Sequence, residues 1–198
     1  MKKPLGIACA LIVLLACAAD PLFAADGAKS EPSQYSLGDQ TMSINAGLFV
    51  PLFFLAPNGA ISAPNLSLGV VGSLCWAAYV APQVRIGAEV AGNFTLSPNS
   101  NTLLMLPFLA KASYVFTAYP FEIPLSFALG MNIVKYVDKS TIDLLIRPGA
   151  SVYWIYSSSW SFGLNFNYWF DMQFNGTTPA NARIGNFLEI SLSALYHY

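Results

Sequence analysis

Three residues near the C-terminus have side chains of the types that form a catalytic relay. Glu189, Ser193 and His197 follow one another at a spacing of four, and a serine nucleophile needs a histidine base that an acid orients. If this segment is a β-strand, residues four apart lie roughly 13 Å from one another, too far for a hydrogen-bonded relay. The spacing therefore favours a protein that is not an enzyme, with His197 as an ordinary polar side chain.

Other common chemistries find no support in the sequence. No His, Cys, Asp or Glu residues have the spacing of metal ligands, and no glycine-rich phosphate loop is present. The formal net charge is -1 without a basic stripe, which argues against nucleic acid as a partner. We therefore expect neither a metal nor a cofactor.

The composition indicates a surface that does not face water. Charged residues make up 10% of the chain and hydrophobic residues 55%, whereas a soluble domain has about 25% charged residues. An N-terminal segment explains part of this excess. Lys2 and Lys3 precede an apolar stretch at 5–19, and small residues follow before position 25, so residues 1–25 are predicted to be a cleaved signal peptide.

A second interpretation of this segment is lipidation, because residues 14–17, LLAC, also resemble a lipobox ending at Cys17. After cleavage of residues 1–25 the chain keeps Cys75, which is predicted to be a small buried apolar residue. Residues 26–41 are polar, rich in turn-forming residues and aperiodic, and are predicted to be a flexible leader.

From residue 42 to 198 the side chains alternate between two faces with period two, which is typical of β-strands. Residues 162–174 show it best: large apolar side chains occupy every even position, and glycine, asparagine, Trp169, Asp171 and Gln173 occupy the odd ones. Eight such segments are predicted, each long enough to cross a bilayer as a tilted strand. They are residues 42–54, 66–80, 84–96, 103–117, 124–137, 142–156, 162–174 and 188–198.

If these strands close into a barrel, the composition of their two faces indicates which face points outward. A soluble lipid-binding barrel would place its apolar face around a cavity and its polar face in water. Here the apolar face is continuous and aromatic, which suits hydrocarbon, whereas the other face is small and polar. The fold class predicted is an all-β, eight-stranded antiparallel up-and-down transmembrane β-barrel.

Two sets of residues follow from this orientation. Charged side chains on the polar face must be paired inside so narrow a lumen. We predict two ion-pair clusters: a low one across strands three and four, with Glu89 beside Lys111, and a high one across strands six to eight, with Arg147 near Asp171 and Glu189. This lumen network comprises Arg85, Glu89, Lys111, Asp143, Arg147, Asp171 and Glu189. Aromatic residues gather where strands end and predict an interfacial girdle. It comprises Trp76, Tyr114, Phe116, Trp154, Tyr156, Trp160, Tyr196 and Tyr198.

Residues 42–198 resemble the small eight-stranded outer-membrane barrels of the OmpA, OmpX and OmpW types. The stretches LPFLAKASYVF, AYPFEIP and SFALGMNIVKY resemble the central hairpin of the OmpW-like proteins. The resemblance implies a bacterial outer-membrane location, outer-membrane lipid as a partner, and a C-terminal strand that the barrel assembly machinery recognises.

The function expected is that of a structural or surface-exposed outer-membrane protein whose lumen is largely plugged by ion pairs. An alternative is an OmpW-like narrow conduit or pocket for a small hydrophobic ligand, which the apolar Leu103, Met105 and Leu109 on the inward face keep open. A less favoured alternative is an enzyme that modifies lipid A, as some barrels of this size do.

Overall fold

The computed structural model describes residues 35–97, 101–137, 139–173 and 182–198. They belong to a compact unit that extends over Ser33–Tyr198. The predicted signal peptide lies outside the described residues and stays a prediction, as does the alternative of lipidation at Cys17.

The described residues form one closed antiparallel sheet of nine strands. Eight long strands pair in chain order, and the first also pairs with the last, which closes the barrel. Within the same residues, no helix is long and apolar enough to cross a membrane. The strands are β1 (Gln40–Leu55), β2 (Ile61–Ser62), β3 (Gly69–Ala81), β4 (Val84–Leu96), β5 (Thr102–Ala118), β6 (Phe121–Tyr136), β7 (Lys139–Ile155), β8 (Trp160–Gln173) and β9 (Arg183–His197).

The prediction of an eight-stranded antiparallel barrel is thus confirmed, with the two-residue β2 as an addition to the far end of β1. At one end of the barrel, here the turn end, β1 begins, β9 ends, and the connections 82–83, 119–120 and 156–159 are short. At the opposite end, the loop end, the connections span 56–68, 97–101, 137–138 and 174–182. Longer connections at one end are typical of outer-membrane barrels.

Alternation along each strand produces an inverted core. On β4, Ile86 and Val90 point outward and remain about half exposed, at 51% and 47%, while Glu89 and Asn93 point inward and are 2% exposed. Among the described strand residues, Lys135 near the loop end is the one charged side chain at an outward position. The middle of the outer surface is therefore an uninterrupted apolar band, as lipid requires.

Some strand boundaries differ from those predicted. β6 begins three residues before position 124, and β9 begins at Arg183, five residues before position 188. The first part of β9 pairs with β1 as far as Ile184 and Leu55. Arg183, Gly185 and Asn186 lack apolar alternation because that periodicity marks only the part of a strand that faces hydrocarbon.

Pro107 and Pro148 lie inside strands, where a proline removes a ladder hydrogen bond and often accompanies a bulge. The β4–β5 register is the same on both sides of Pro107, and the β7–β8 register is the same on both sides of Pro148. Each proline interrupts one ladder without shifting it, since it removes a single donor from the sheet.

A matched pair of substitutions on β5 tests the apolar band. Ala110 and Ala118 both point outward, at mid-height and at the turn end respectively. In lipid vesicles, Ala110→Arg should lower the free energy of unfolding by about 2–4 kcal/mol, and Ala118→Arg by about 0–1 kcal/mol. Urea titration followed by tryptophan fluorescence measures both values. Equal effects at the two positions would contradict a bilayer around this band.

Candidate functional site in the lumen

The centre of the lumen holds a network of four charged side chains. Arg147 on β7 is 1% exposed and pairs with Glu89 on β4 and, at 3.4 Å, with Glu189 on β9. Lys111 on β5 pairs with the same Glu89 at 3.1 Å. Two cations and two carboxylates make the network neutral, so the attraction between the charges offsets the loss of their hydration.

Neighbouring side chains complete the coordination of this network. The Trp169 indole Nε1 donates a hydrogen bond to Glu189 Oε2 at 2.9 Å, and Ser191 Oγ donates to Glu189 Oε1 at 2.9 Å. The Arg147 guanidinium lies over the Trp169 ring, 5.4 Å from its centroid, in a cation–π contact. Both oxygens of Glu189 are bonded, and the lumen at this height is filled.

The prediction of two separate ion-pair clusters is wrong. Lys111 and Arg147 lie on one rung of the sheet, because each is paired with Ala128 between them. Glu89 projects into the lumen from the next inward-facing rung and lies within reach of both cations. Among the described residues, three of the seven predicted members, Arg85, Asp143 and Asp171, form no ion pair within 4.0 Å. Heights counted from strand ends place Arg147 near both Asp171 and Glu189. The contact with Glu189 forms, but the shear of the barrel brings Arg147 to Glu89 as well and not to Asp171.

A layer of amide and hydroxyl groups fills the lumen on the turn-end side of the network. Asn165 Nδ2 donates to Asn45 Oδ1 at 3.1 Å, and Asn45 Nδ2 donates to Ser73 Oγ at 2.8 Å. The Tyr153 hydroxyl donates to Asn165 Oδ1 at 3.0 Å and lies 3.0 Å from Ser193 Oγ. These buried polar groups satisfy one another, as the interior of a filled barrel requires.

Tyr35, which precedes β1, closes the turn end. Its hydroxyl donates a hydrogen bond to the buried Glu122, and its ring stacks on Tyr79 at 4.5 Å and on His197 at 5.2 Å between centroids. Burial, reinforced by the bond to Glu122, raises the pKa of the Tyr35 hydroxyl, so it stays a donor. The Arg85 guanidinium lies 5.6 Å from the Tyr79 ring centroid, in the same layer.

Sequence reasoning missed both Tyr35 and Glu122. The leader was predicted to be flexible over residues 26–41, whereas Tyr35 is 7% exposed and β1 begins at Gln40. Glu122 precedes the segment predicted as a strand, although it has the parity of that segment's inward face. Extending the alternation by one inward position would have found Glu122, but no local pattern marks Tyr35.

The structure does not assemble the relay that the spacing of Glu189, Ser193 and His197 suggests. His197 Nε2 lies 3.0 Å from Ser161 Oγ instead, and Ser193 contacts Tyr153. Within the described part of the chain, His197 Nδ1 has no hydrogen-bond partner, and Ser161 is fully buried. Without an acid on the histidine and without access to the serine, this pair lacks the geometry of an activated nucleophile.

At the loop end the lumen widens into a cavity of about 410 Å³. Its walls include Phe187 together with Leu103 and Met105. The last two are among the three apolar residues on which the sequence-based alternative of a hydrophobic pocket rests. Asp143 and Asp171 also line the cavity. The third apolar residue of that set, Leu109, is 3% exposed and packs in the core below.

The eight residues of the predicted aromatic girdle are all exposed on the outer face near the turn end, six of them in strands and two, Tyr156 and Tyr198, one residue beyond a strand end. Their exposed fractions run from 38% at Tyr196 to 65% at Tyr156. Several contact one another: Tyr196 stacks on Tyr198 at 5.8 Å between ring centroids, and the Trp160 ring is tilted against Tyr196 at 4.9 Å. The placement is the one expected of side chains at a membrane interface, and the interfacial role stays a prediction.

Among the described residues, no group of three or more His, Cys, Asp or Glu could hold a metal ion. Cys75 is a free, buried cysteine at 8% exposure, on the inward face of β3.

An apolar exterior around a narrow, polar and filled lumen is the arrangement of the small transmembrane β-barrels. A protein-family model matches residues 23–196, which is most of the chain. An uncharacterized protein of Treponema pallidum (strain Nichols) is 25% identical over 179 residues, 80% of each chain.

Solved structures of small outer-membrane barrels share the fold at 9–11% identity. Neisserial surface protein A has a TM-score of 0.61 over 81% of this chain and 97% of its own, and OprG of Pseudomonas aeruginosa has 0.55 over 85% and 99%. Ail, the attachment invasion locus protein of Yersinia pestis, has 0.51 over 82% and 100%. The chain belongs to the family that the matching model describes, and its fold is that of the small eight-stranded outer-membrane β-barrels.

Removing the central cation tests the network. Arg147→Met leaves Glu89 and Glu189 buried without that counter-charge, so it should lower the free energy of unfolding by about 3–5 kcal/mol. The quadruple variant K111M/E89Q/R147M/E189Q removes all four charges and should cost less than the single change. Urea titration in lipid vesicles measures both, with Lys135→Met as the outward-facing control. A quadruple variant that is the less stable of the two would contradict this account of the network.

Removing one hydroxyl tests the turn-end closure. Tyr35→Phe deletes the donor to Glu122 and should destabilise the barrel by about 1–3 kcal/mol, since a buried acceptor is left unsatisfied. Tyr119→Phe removes a hydroxyl from a tyrosine that is 74% exposed, and it should change stability by no more than about 0.5 kcal/mol. Thermal unfolding in detergent compares the two. Equal stability of both variants would mean that Tyr35 does not dock in solution.

Proposed function

We propose that the protein is a bacterial outer-membrane barrel with a structural or surface-exposed role and a lumen closed by its own side chains. The observation that carries the proposal is the buried contact of Arg147 with Glu89 and Glu189, which joins three strands across the lumen. An eight-stranded barrel has room for little more than its inward side chains. Two barrels of similar fold, Neisserial surface protein A and the attachment invasion locus protein Ail, support the surface-exposed role.

The closure has several layers in series. The Tyr35 layer at the turn end, the layer of asparagine and serine side chains above it, and the Arg147 network each obstruct the lumen at a different height. Removing one layer therefore leaves the others in place. A conduit through the barrel would require side chains at all three heights to move together.

A measurement of ionic current distinguishes a plugged barrel from a conduit. In planar lipid bilayers the protein should show no steady open state, and Arg147→Ala should lose stability without gaining current, because the other two layers remain. A large-pore porin in the same bilayers serves as the positive control. Discrete current steps from the unsubstituted protein that grow in Arg147→Ala or Glu89→Ala would overturn the plugged lumen in favour of a conduit.

A second function, the binding of a small hydrophobic molecule, is favoured by the cavity at the loop end. Ligand pockets in proteins have volumes of about 300–1,000 Å³, with mostly apolar walls and a few polar groups. The cavity of about 410 Å³ above Met105 and Phe187 has that size and character. It is compatible with a closed lumen, because the Arg147 network lies between the cavity and the turn end.

A further inference from the structure

The loop-end cavity contains two carboxylates whose charge no ion pair offsets. Asp143 is 3% exposed and Asp171 is 7% exposed. Asp143 Oδ2 accepts a hydrogen bond from the Thr141 hydroxyl at 3.2 Å, and Asp171 Oδ1 accepts one from Asn132 Nδ2 at 2.9 Å. Both donors are neutral, so they satisfy oxygen atoms without supplying a counter-charge.

One oxygen of the pair has no donor among the described residues. Asp143 Oδ1 is buried and lacks a hydrogen-bond partner within the described residues, although the residue lines an open cavity. An unpaired buried carboxylate is costly unless a cation or donors reach it. At mid-height in this lumen the carboxylates Glu89 and Glu189 are both paired with cations, whereas the two aspartates at the loop end are not.

The cations nearest in the fold do not remove this excess. Arg147 is already engaged with Glu89 and Glu189. Arg183 lines the same cavity at its exposed rim, but it forms no ion pair within 4.0 Å among the described residues. Two aspartates against one arginine leave the cavity with a formal charge of -1.

The rest of the cavity wall is apolar and aromatic. Leu103 and Met105 come from β5, Val134 and Tyr136 from β6, and Phe187 from β9. Aromatic rings beside a carboxylate are a common setting for ammonium groups, which they attract through the face of the ring. The two aspartates and the apolar wall therefore suit a ligand with one cationic group and an apolar body.

We propose that this cavity binds a small amphipathic ammonium compound, with its cationic group at Asp143 and Asp171 and its apolar body against Leu103, Met105 and Phe187. The inference rests on the second function proposed above, a ligand pocket at the loop end. It goes further in naming the charge of the ligand and the two residues that recognise it.

Methionine methyl NMR of the barrel in lipid nanodiscs provides the test. Met105 lines the cavity and is 1% exposed, whereas Met131 points outward into lipid and is 60% exposed. Octylamine, octanol and octanoate serve as probes that share a chain and differ in charge. Binding in the cavity shifts the Met105 signal saturably, and partition of a probe into the bilayer shifts Met131.

Octylamine should saturate the Met105 shift with an affinity about tenfold or more above that of octanol, the effect of one charge-assisted contact. The D143N/D171N variant should weaken octylamine binding by a similar factor and leave octanol binding unchanged. Asp39→Asn, at a half-buried aspartate at the turn end, far from the cavity, is the control and should change neither. Unchanged mobility of the unboiled protein on a gel shows that each variant has folded.

Three other results would overturn the inference. Equal binding of octanol and octylamine, unaffected by D143N/D171N, would leave a hydrophobic pocket but remove the role of the carboxylates. Tightest binding of octanoate, lost in Arg183→Gln, would assign the cavity to anions instead. If no probe moves Met105 more than Met131, both the ammonium site and the pocket function fail.

Discussion

The burial of Arg147 is the constraint on which the rest of the lumen depends. A guanidinium that is 1% exposed is stable only while neighbouring anions and acceptors replace its hydration. Glu89 and Glu189 supply the anions, and Trp169 covers the face of the group. Because Glu89, Lys111, Arg147 and Glu189 come from four different strands, the barrel cannot change its shear or diameter without separating charges in a medium of low dielectric.

The side chains on the outer and inner faces of the sheet must each match the medium that they contact. A closed sheet pairs its own backbone, so only the side chains need to match their surroundings. On the outside, the match to lipid takes the form of an apolar band. Among the described strand residues, the one charged side chain that points outward is Lys135, which lies near the loop end. Inside, the lumen is too narrow for bulk water, and polar groups must satisfy one another layer by layer, from Tyr35 to the Arg147 network.

The loop end departs from this layer-by-layer pairing of polar groups, and it holds the candidate ligand site. Between the loop end and the turn end, inward side chains occupy each layer, and the carboxylates at mid-height are paired with cations. Above Met105 the side chains leave a cavity and two aspartates without a counter-charge. The lumen closure and the loop-end pocket proposed above would together suit the barrel to holding a small molecule at one end rather than passing it through.

The sequence by itself determined the fold and the orientation of its faces, because a period of two is a property of neighbouring residues and needs no knowledge of the partner strand. It also identified seven ionisable side chains that point inward, from Arg85 to Glu189, although it missed Glu122. Only the tertiary structure decided which of them meet: Arg147 pairs with Glu89 as well as Glu189 and not with Asp171, and Tyr35 docks on Glu122. Those pairings depend on the shear of the closed sheet and on how far a side chain reaches across the lumen, and no local pattern encodes either quantity.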